Sequence, residues 1–244
     1  MLGTLVEIGI LAPAAAQTIL DAAWALLQDI QTQLSAFDPN SDLARLHRTC
    51  AGTRCSVRPH TAKVLDAAMR WAHESEGCFD LSQGSGPWQW DGTALWREHE
   101  DTCLDAGGLA KGYAIDALCT HLQTAGCTQG WVNAGGDLRT FGGVRLPLVL
   151  RDEQHGGTRA WGWIEDGAVV TSHFGAGARS RLALAAGNEL FHPHVSVAAP
   201  DAMTADALTK IVAQSRTWPN ALLLRHQAQA WAHTPTAQKR QVHT

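Results

Sequence analysis

Apolar residues recur at i, i+3, i+4 and i+7 near the middle of the chain, at Ile115, Leu118, Cys119 and Leu122. That spacing predicts one face of a helix, with Gly126 as its stop. Earlier, Ile19, Ala22, Ala23, Leu26, Ile30, Leu34 and Phe37 mark the inner face of a longer helix, which Phe37-Asp38-Pro39-Asn40-Ser41 breaks. Ser41 stands where it can cap a short helix running through His47. A further helix is expected after Pro59, with Val64, Leu65, Ala68, Met69 and Ala72 turned inward and Gly77-Cys78-Phe79-Asp80 closing it. Residues 82–103 read as an irregular excursion. Strand patterns cover Gly3 to Leu11, Trp131 to Asn133, Pro147 to Leu150, Trp161 to Ile164, Ala168 to Thr171, Leu182 to Ala185 and His194 to Ala198. A last helix is expected from Ala205 to Gln214, then closing strands at Ala221 to Leu224 and Gln229 to Ala232. Helices gather early and strands late, with no regular strand–helix alternation. The expected class is therefore α+β, one domain over residues 1–234 with a mixed or antiparallel sheet and flanking helices. Residues 235–244 form a polar tail.

The central helix is entered through Leu104-Asp105-Ala106-Gly107-Gly108-Leu109-Ala110-Lys111-Gly112-Tyr113-Ala114-Ile115-Asp116. A Gly-Gly turn opening a helix offers backbone N–H groups and the positive end of a dipole, which suits a phosphate. Lys111 adds a cation. A turn that uses glycine only for its dihedrals would look the same. The stretch is neither a Walker A loop nor a dinucleotide fingerprint, because it lacks the closing Lys-Ser/Thr pair and the glycine spacing.

Composition narrows the classes. A formal charge of −4 over 244 residues argues against a nucleic-acid binder. No apolar run reaches the ~18 residues of a membrane span. Met1 leads directly into a strand pattern with no export signal, so the expectation is a cytoplasmic protein, or a periplasmic one if an export segment is missing. The six cysteines include no C-x-x-C pair and read mostly as thiols, although Cys50 and Cys55 are close enough in sequence to bridge a loop.

Three acidic residues border glycines: Asp80, Asp105 and Asp137. Asp206, Thr209 and Lys210 share a helix face, and their spacing suits either a hard cation or a surface Asp–Lys pair. His173, His192 and His194 lie in the late strand region and could supply a general base or, less simply, a transition-metal site.

In chain order these pieces resemble the ApbE family of FAD:protein FMN transferases. The resemblance is carried by Leu2-Gly3-Thr4; by Ser35 to His47; by Gly77-Cys78-Phe79-Asp80; by Leu104 to Asp116; by Val132-Asn133-Ala134-Gly135-Gly136-Asp137; by Ala168-Val169-Val170-Thr171-Ser172; and by Val195 to Leu208. It implies transfer of FMN from FAD to a Thr hydroxyl of a partner protein, with release of AMP and with Mg²⁺ as cofactor. It also implies FAD contacts at Leu2, Phe37, Cys78, Phe79, Asp80, Asp105 and Lys111, and metal ligands at the Gly108 carbonyl, Asp206 and Thr209. His192 matches the implied base, with His194 as its rival. The sequence departs from the family pattern in four places: the segment Phe191-His192-Pro193-His194 is shortened, His173 replaces a glycine, His47 replaces an asparagine, and Lys210 stands where a threonine metal ligand is usual. An FAD pyrophosphatase giving FMN and AMP, or a non-catalytic FAD-binding protein, remain open alternatives.

Overall fold

The computed structural model describes residues 3–11, 15–35, 37–151, 156–174 and 189–233, with the backbone of 240–241. Leu2 and the expected strand at Leu182 to Ala185 lie outside the described residues.

The framework is a seven-stranded antiparallel sheet. Its strands are β1 (Val6–Ile10), β5 (Gly130–Ala134), β6 (Asp137–Phe141), β9 (Ala168–His173), β10 (His194–Ala199), β11 (Gln229–Ala232) and β12 (Arg240–Gln241), adjacent in that order. The tail read as polar thus returns a short strand to the sheet edge. β2 (Cys55–Ser56), β3 (Trp88–Trp90) and β4 (Ala94–Arg97) make a second, three-stranded sheet. Two of its strands lie in the stretch read as irregular: β3 and β4 pair as a local hairpin too short to show a strand period, and β2 joins β4 from about forty residues earlier. β7 (Arg145–Arg151) and β8 (Thr158–Glu165) form a separate ribbon.

The hairpin between β5 and β6 follows from its turn chemistry. Ala134 pairs with Asp137, so the loop is Gly135-Gly136 alone. Both glycines have positive φ, +65° and +102°, as a two-residue primed turn requires. The Asn133 side chain accepts the Gly136 N–H at 2.9 Å. Asp137 is thereby fixed as the first residue of β6.

Six helices complete the described fold: α1 (Ala16–Leu34), α2 (Asp42–Arg48), α3 (Pro59–Glu74), α4 (Ala110–Thr124), α5 (Ala202–Gln214) and α6 (Asn220–Arg225). Ser41 caps α2 as expected, its Oγ accepting the Ala44 N–H at 3.0 Å. Pro59 opens α3, where its missing N–H costs nothing. Three expectations are corrected. Phe37 lies past the end of α1 and is 95% exposed, while Ala23, Leu27, Ile30 and Leu34 form the buried stripe. On α3, Met69 is 40% exposed, because the fully buried Trp71 anchors the face instead. Ala221 to Leu224 is helical rather than extended; a short apolar run carries no period that separates the two states.

α4 packs on β5 and β6, and α5 packs on β9 and β10, so the two helices lie side by side over the centre of the main sheet. Gly112 allows their close approach. A Cβ there would lie 2.4 Å from the Ala202 carbonyl and 2.6 Å from Met203 Cα. Asp116, one helical turn further along α4, accepts the Ala202 and Met203 N–H groups at 2.8 Å each, and so caps α5 from the neighbouring helix. Arg139 of β6 donates to the same carboxylate at 2.6 Å. Burial still dominates and pushes the Asp116 carboxyl up to about 6, against the pull of Arg139 and the two N–H groups. We expect Gly112→Ala to destabilise the fold by about 1–3 kcal/mol through overpacking. A urea midpoint equal to that of the native protein would show that the helices can part at no cost. Among the described residues, no helix is long and apolar enough to cross a membrane.

Candidate active site

The loop before the glycine turn is held on both sides. The Leu104 N–H donates to His47 Nε2 at 2.9 Å, and the Asp105 N–H donates to the Leu81 carbonyl at 2.9 Å. His47 must therefore be neutral at Nε2; burial and the nearby Arg97 both push its pKa down, against the pull of Asp105. Ala106–Gly108 makes a single 3-10 turn, in which Asp105 Oδ1 accepts the Gly107 N–H at 2.8 Å. The Gly107 donor is thus used within the turn. α4 begins immediately afterwards with no side-chain cap, so the dipole end and first-turn donors expected from the sequence lie at Ala110 and Lys111.

Below this turn the structure collects four charges. Lys111 is ion-paired with Asp137, whose side chain is 2% exposed. Lys210 is ion-paired with Asp206, whose side chain is wholly buried. The Gly112 N–H donates to Asp206 Oδ2 at 3.2 Å. Burial works against the Lys111 charge, but Asp137 and Asp206 outweigh it and raise the pKa. For Asp137, burial pushes the carboxyl up against Lys111. Lys111 is therefore anchored from β6. Ser172 and Asp116 are partners in this group that sequence reasoning did not single out, and the pairing of Asp137 with Lys111 was not read either. Asp137 stood in view, in the stretch Gly135-Gly136-Asp137, but nothing local tied it to a lysine 26 residues earlier.

Of the residues implied as metal ligands, Gly108 lies against the Lys210 stem, and Asp206 and Thr209 sit on the buried face of α5 beside it. A Cβ on Gly108 would lie 3.6 Å from Lys210 Cε and 3.4 Å from the Phe79 ring. Thr209 is fully buried. Its hydroxyl donates to the Asp206 carbonyl at 2.7 Å and pairs with Ser172 Oγ at 2.9 Å. The space beside Asp206 is taken by the Lys210 ammonium, which also donates to Ser172 Oγ at 3.2 Å. With the carboxylate paired to an ammonium and the Thr209 hydroxyl already bonded, the residues present do not fit a resident divalent cation. Among the described residues no group of three His, Cys, Asp or Glu side chains could hold a metal ion.

Phe79 is buried against the turn. Cys78 Sγ donates to the Ile211 carbonyl of α5 at 3.9 Å, and burial raises its pKa. Asp80 lines an open cavity of about 350 Å³ with Ser82, Gly84, Gly86, Pro87 and Trp88. Burial opposes its charge, but hydrogen bonds from Ser82, Gly84 and Trp88 hold its pKa below the usual carboxylate range. Phe37 stands almost fully exposed beyond the end of α1. All six cysteines are free thiols, Cys50 and Cys55 included.

The histidines divide. His192 packs edge-on against Trp218, ring centroids 5.1 Å apart, and its N–H donates to the Ala213 carbonyl at the end of α5. Burial lowers its pKa, with a hydrogen bond at the Ser215 backbone opposing. His194 lies opposite His173 across β9 and β10, rings 5.3 Å apart, and 4.7 Å from the His233 ring. The trio of His173, His192 and His194 is therefore not a cluster; His233 takes the place of His192. His233 Nε2 and Ser196 Oγ lie 2.8 Å apart, and Ser196 reaches Thr171 Oγ1 at 2.7 Å.

An antiparallel sheet covered by two close helices, with its charged residues gathered under a glycine turn, defines an α+β domain whose architecture is that of solved flavin transferases. The flavin transferase ApbE from Vibrio cholerae superposes with a TM-score of 0.79 at 19% identity, covering 97% of this chain and 92% of that one. The ApbE protein of Thermotoga maritima gives 0.78 at 20% identity over 98% and 94% of the two chains, and the Pseudomonas stutzeri flavinyl transferase ApbE gives 0.73 at 18% over 97% and 93%. The sequence profile of the ApbE family matches residues 2–91 and 86–176. The chain belongs to the ApbE family. A curated relative, the FAD:protein FMN transferase of Vibrio cholerae serotype O1, is 22% identical over 148 residues, which span 48% of this chain and 44% of the relative.

Proposed function

We propose that this protein is an FAD:protein FMN transferase, moving FMN from FAD onto a Thr hydroxyl of an acceptor protein and releasing AMP. The observation that carries the reading is the paired lysine and aspartate cluster beneath the uncapped start of α4. Attack on a diphosphate builds negative charge on the bridging and terminal oxygens, and fixed cations with helix N–H groups stabilise it. The diphosphate of FAD would lie over Ala110 and Lys111. Phe79, Cys78, Asp80 and Asp105 would border the rest of the dinucleotide; the family resemblance adds Leu2 and Phe37 as further contacts. His192 would take the proton from the acceptor hydroxyl. The Thr oxygen would then bond to the FMN-side phosphorus as the bond from that phosphorus to the bridging oxygen breaks, and that oxygen would leave on AMP. His194 is the alternative base. The family resemblance assigns charge neutralisation to Mg²⁺; the residues around Asp206 do not fit a resident divalent ion, so no step here passes through one.

Incubation with FAD and co-expressed acceptor candidates, read by mass, tests the reading. A covalent FMN adduct on a Thr of the acceptor supports it. Free FMN and AMP without an adduct would make the protein a pyrophosphatase, and unchanged bound FAD would make it a flavin carrier. Reversing the charge at Lys111 should weaken FAD binding by more than about tenfold, because Lys111→Glu would also face Asp137 and Asp206. Unchanged affinity by flavin fluorescence, in a variant whose circular dichroism is native, would place the diphosphate elsewhere.

A further inference from the structure

Spacing on a helix lets a lysine one turn from an aspartate either pair with it or turn its ammonium out to water. Lys210 pairs and is buried, at 8% exposure. Its ammonium contacts Asp206 on its own helix and Ser172 on β9, and its stem approaches the Gly108 turn. The local charge count then closes: Asp137 and Asp206 against Lys111 and Lys210. A divalent cation added here would have to separate a buried carboxylate from its ammonium and then lie beside that same positive charge. Without Lys210, the same pocket would hold two buried carboxylates against one lysine, with Thr209 and Ser172 hydroxyls facing the gap, which is an oxygen-rich donor set for a hard cation.

We propose that the Lys210 ammonium is the resident cation of this site and that the protein handles its diphosphate substrate without a divalent metal. The identity of that substrate rests on the flavin-transfer reading; the question of the cation does not. An ammonium brings one charge and no coordination geometry, so it neutralises the diphosphate through space rather than gripping it, and positioning falls to the start of α4.

Two measurements on metal-free protein test this. Mn²⁺ is titrated into native protein and into Lys210→Thr and Lys210→Ala, with free Mn²⁺ read by electron paramagnetic resonance. The native protein should leave the ion free, and the variants should bind it at least about tenfold more tightly. Flavin fluorescence then follows FAD binding in EDTA and in excess Mg²⁺. Native affinity should be the same in both; Lys210→Ala should lose at least about tenfold in EDTA and regain it with Mg²⁺. Native protein that binds Mn²⁺ as tightly as Lys210→Thr would overturn the proposal, and so would native FAD binding that collapses in EDTA. The second of those outcomes is read on the unmutated chain alone, so a variant that fails to fold does not shield the idea. If native protein ignores FAD altogether, the flavin reading falls, and the Mn²⁺ comparison decides the role of Lys210 alone.

Discussion

Replacing Asp206 with alanine is expected to destabilise the fold by about 3–5 kcal/mol, the range for leaving a buried charge without its partner. The Asp206 side chain is wholly buried and is bonded to Lys210 and to the Gly112 N–H. Truncation leaves the Lys210 ammonium donating to Ser172 Oγ without its carboxylate, and removes the acceptor that ties the first turn of α4 to α5. It also lowers the negative charge that keeps Lys111 protonated. Urea unfolding should show a lower midpoint with an unchanged slope, since the surface exposed on unfolding is the same. The double variant Asp206→Ala/Lys210→Met should recover most of the loss, because it removes the stranded charge as well. A loss below about 1 kcal/mol in Asp206→Ala would mean that Lys210 reaches water when released, and that the pair is a surface pair in energetic terms.

The main elements were legible wherever one face of an element meets the core. α4 carries its period and its glycine entry in consecutive residues, and the structure places it at Ala110–Thr124, with Gly126 at φ +91° just beyond. α5 starts three residues before its expected start because Asp201 and Asp116 cap it, and the second of these comes from another helix. β6 was hidden for a different reason. Gly135-Gly136 entered the sequence reading only as the glycines beside Asp137, and the two-residue hairpin they encode was not read from them. In the site, the helix period put Asp206, Thr209 and Lys210 on one face, yet it could not say what stood opposite. Whether Lys210 turns inward depends on Ser172, which arrives from β9 by sheet register, 38 residues away. The same holds for Lys111 and Asp137. The histidines were the least legible. His192 and His194 are two residues apart, but Pro193 separates a loop residue docked on α5 from the first residue of β10. The strand rule that puts residues i and i+2 on one face applies only inside a strand.

His192→Ala is expected to slow FMN transfer by about a hundredfold or more while leaving FAD affinity within a few-fold, the signature of a lost general base. The argument is electrostatic. A base must be neutral at working pH, and burial against Trp218 and the end of α5 lowers the His192 pKa from its ordinary 6.5. The imidazole therefore stays unprotonated and able to accept a proton through the neutral range. The sign of the pH dependence follows. The rate constant kcat/KM should be flat from neutral pH upward and should fall as pH drops through the His192 pKa, below 6.5, where the base becomes protonated. His192→Ala should lose that acid limb along with the rate. His194 differs in setting: it lies in β10 opposite His173 and against His233, within a chain of hydroxyl and imidazole groups that runs through Ser196 to Thr171. If His194→Ala is the slow variant and His192→Ala keeps both its rate and its acid limb, the base belongs to the sheet and not to the loop on α5. The acceptor hydroxyl would then have to approach from the side of β9 and β10.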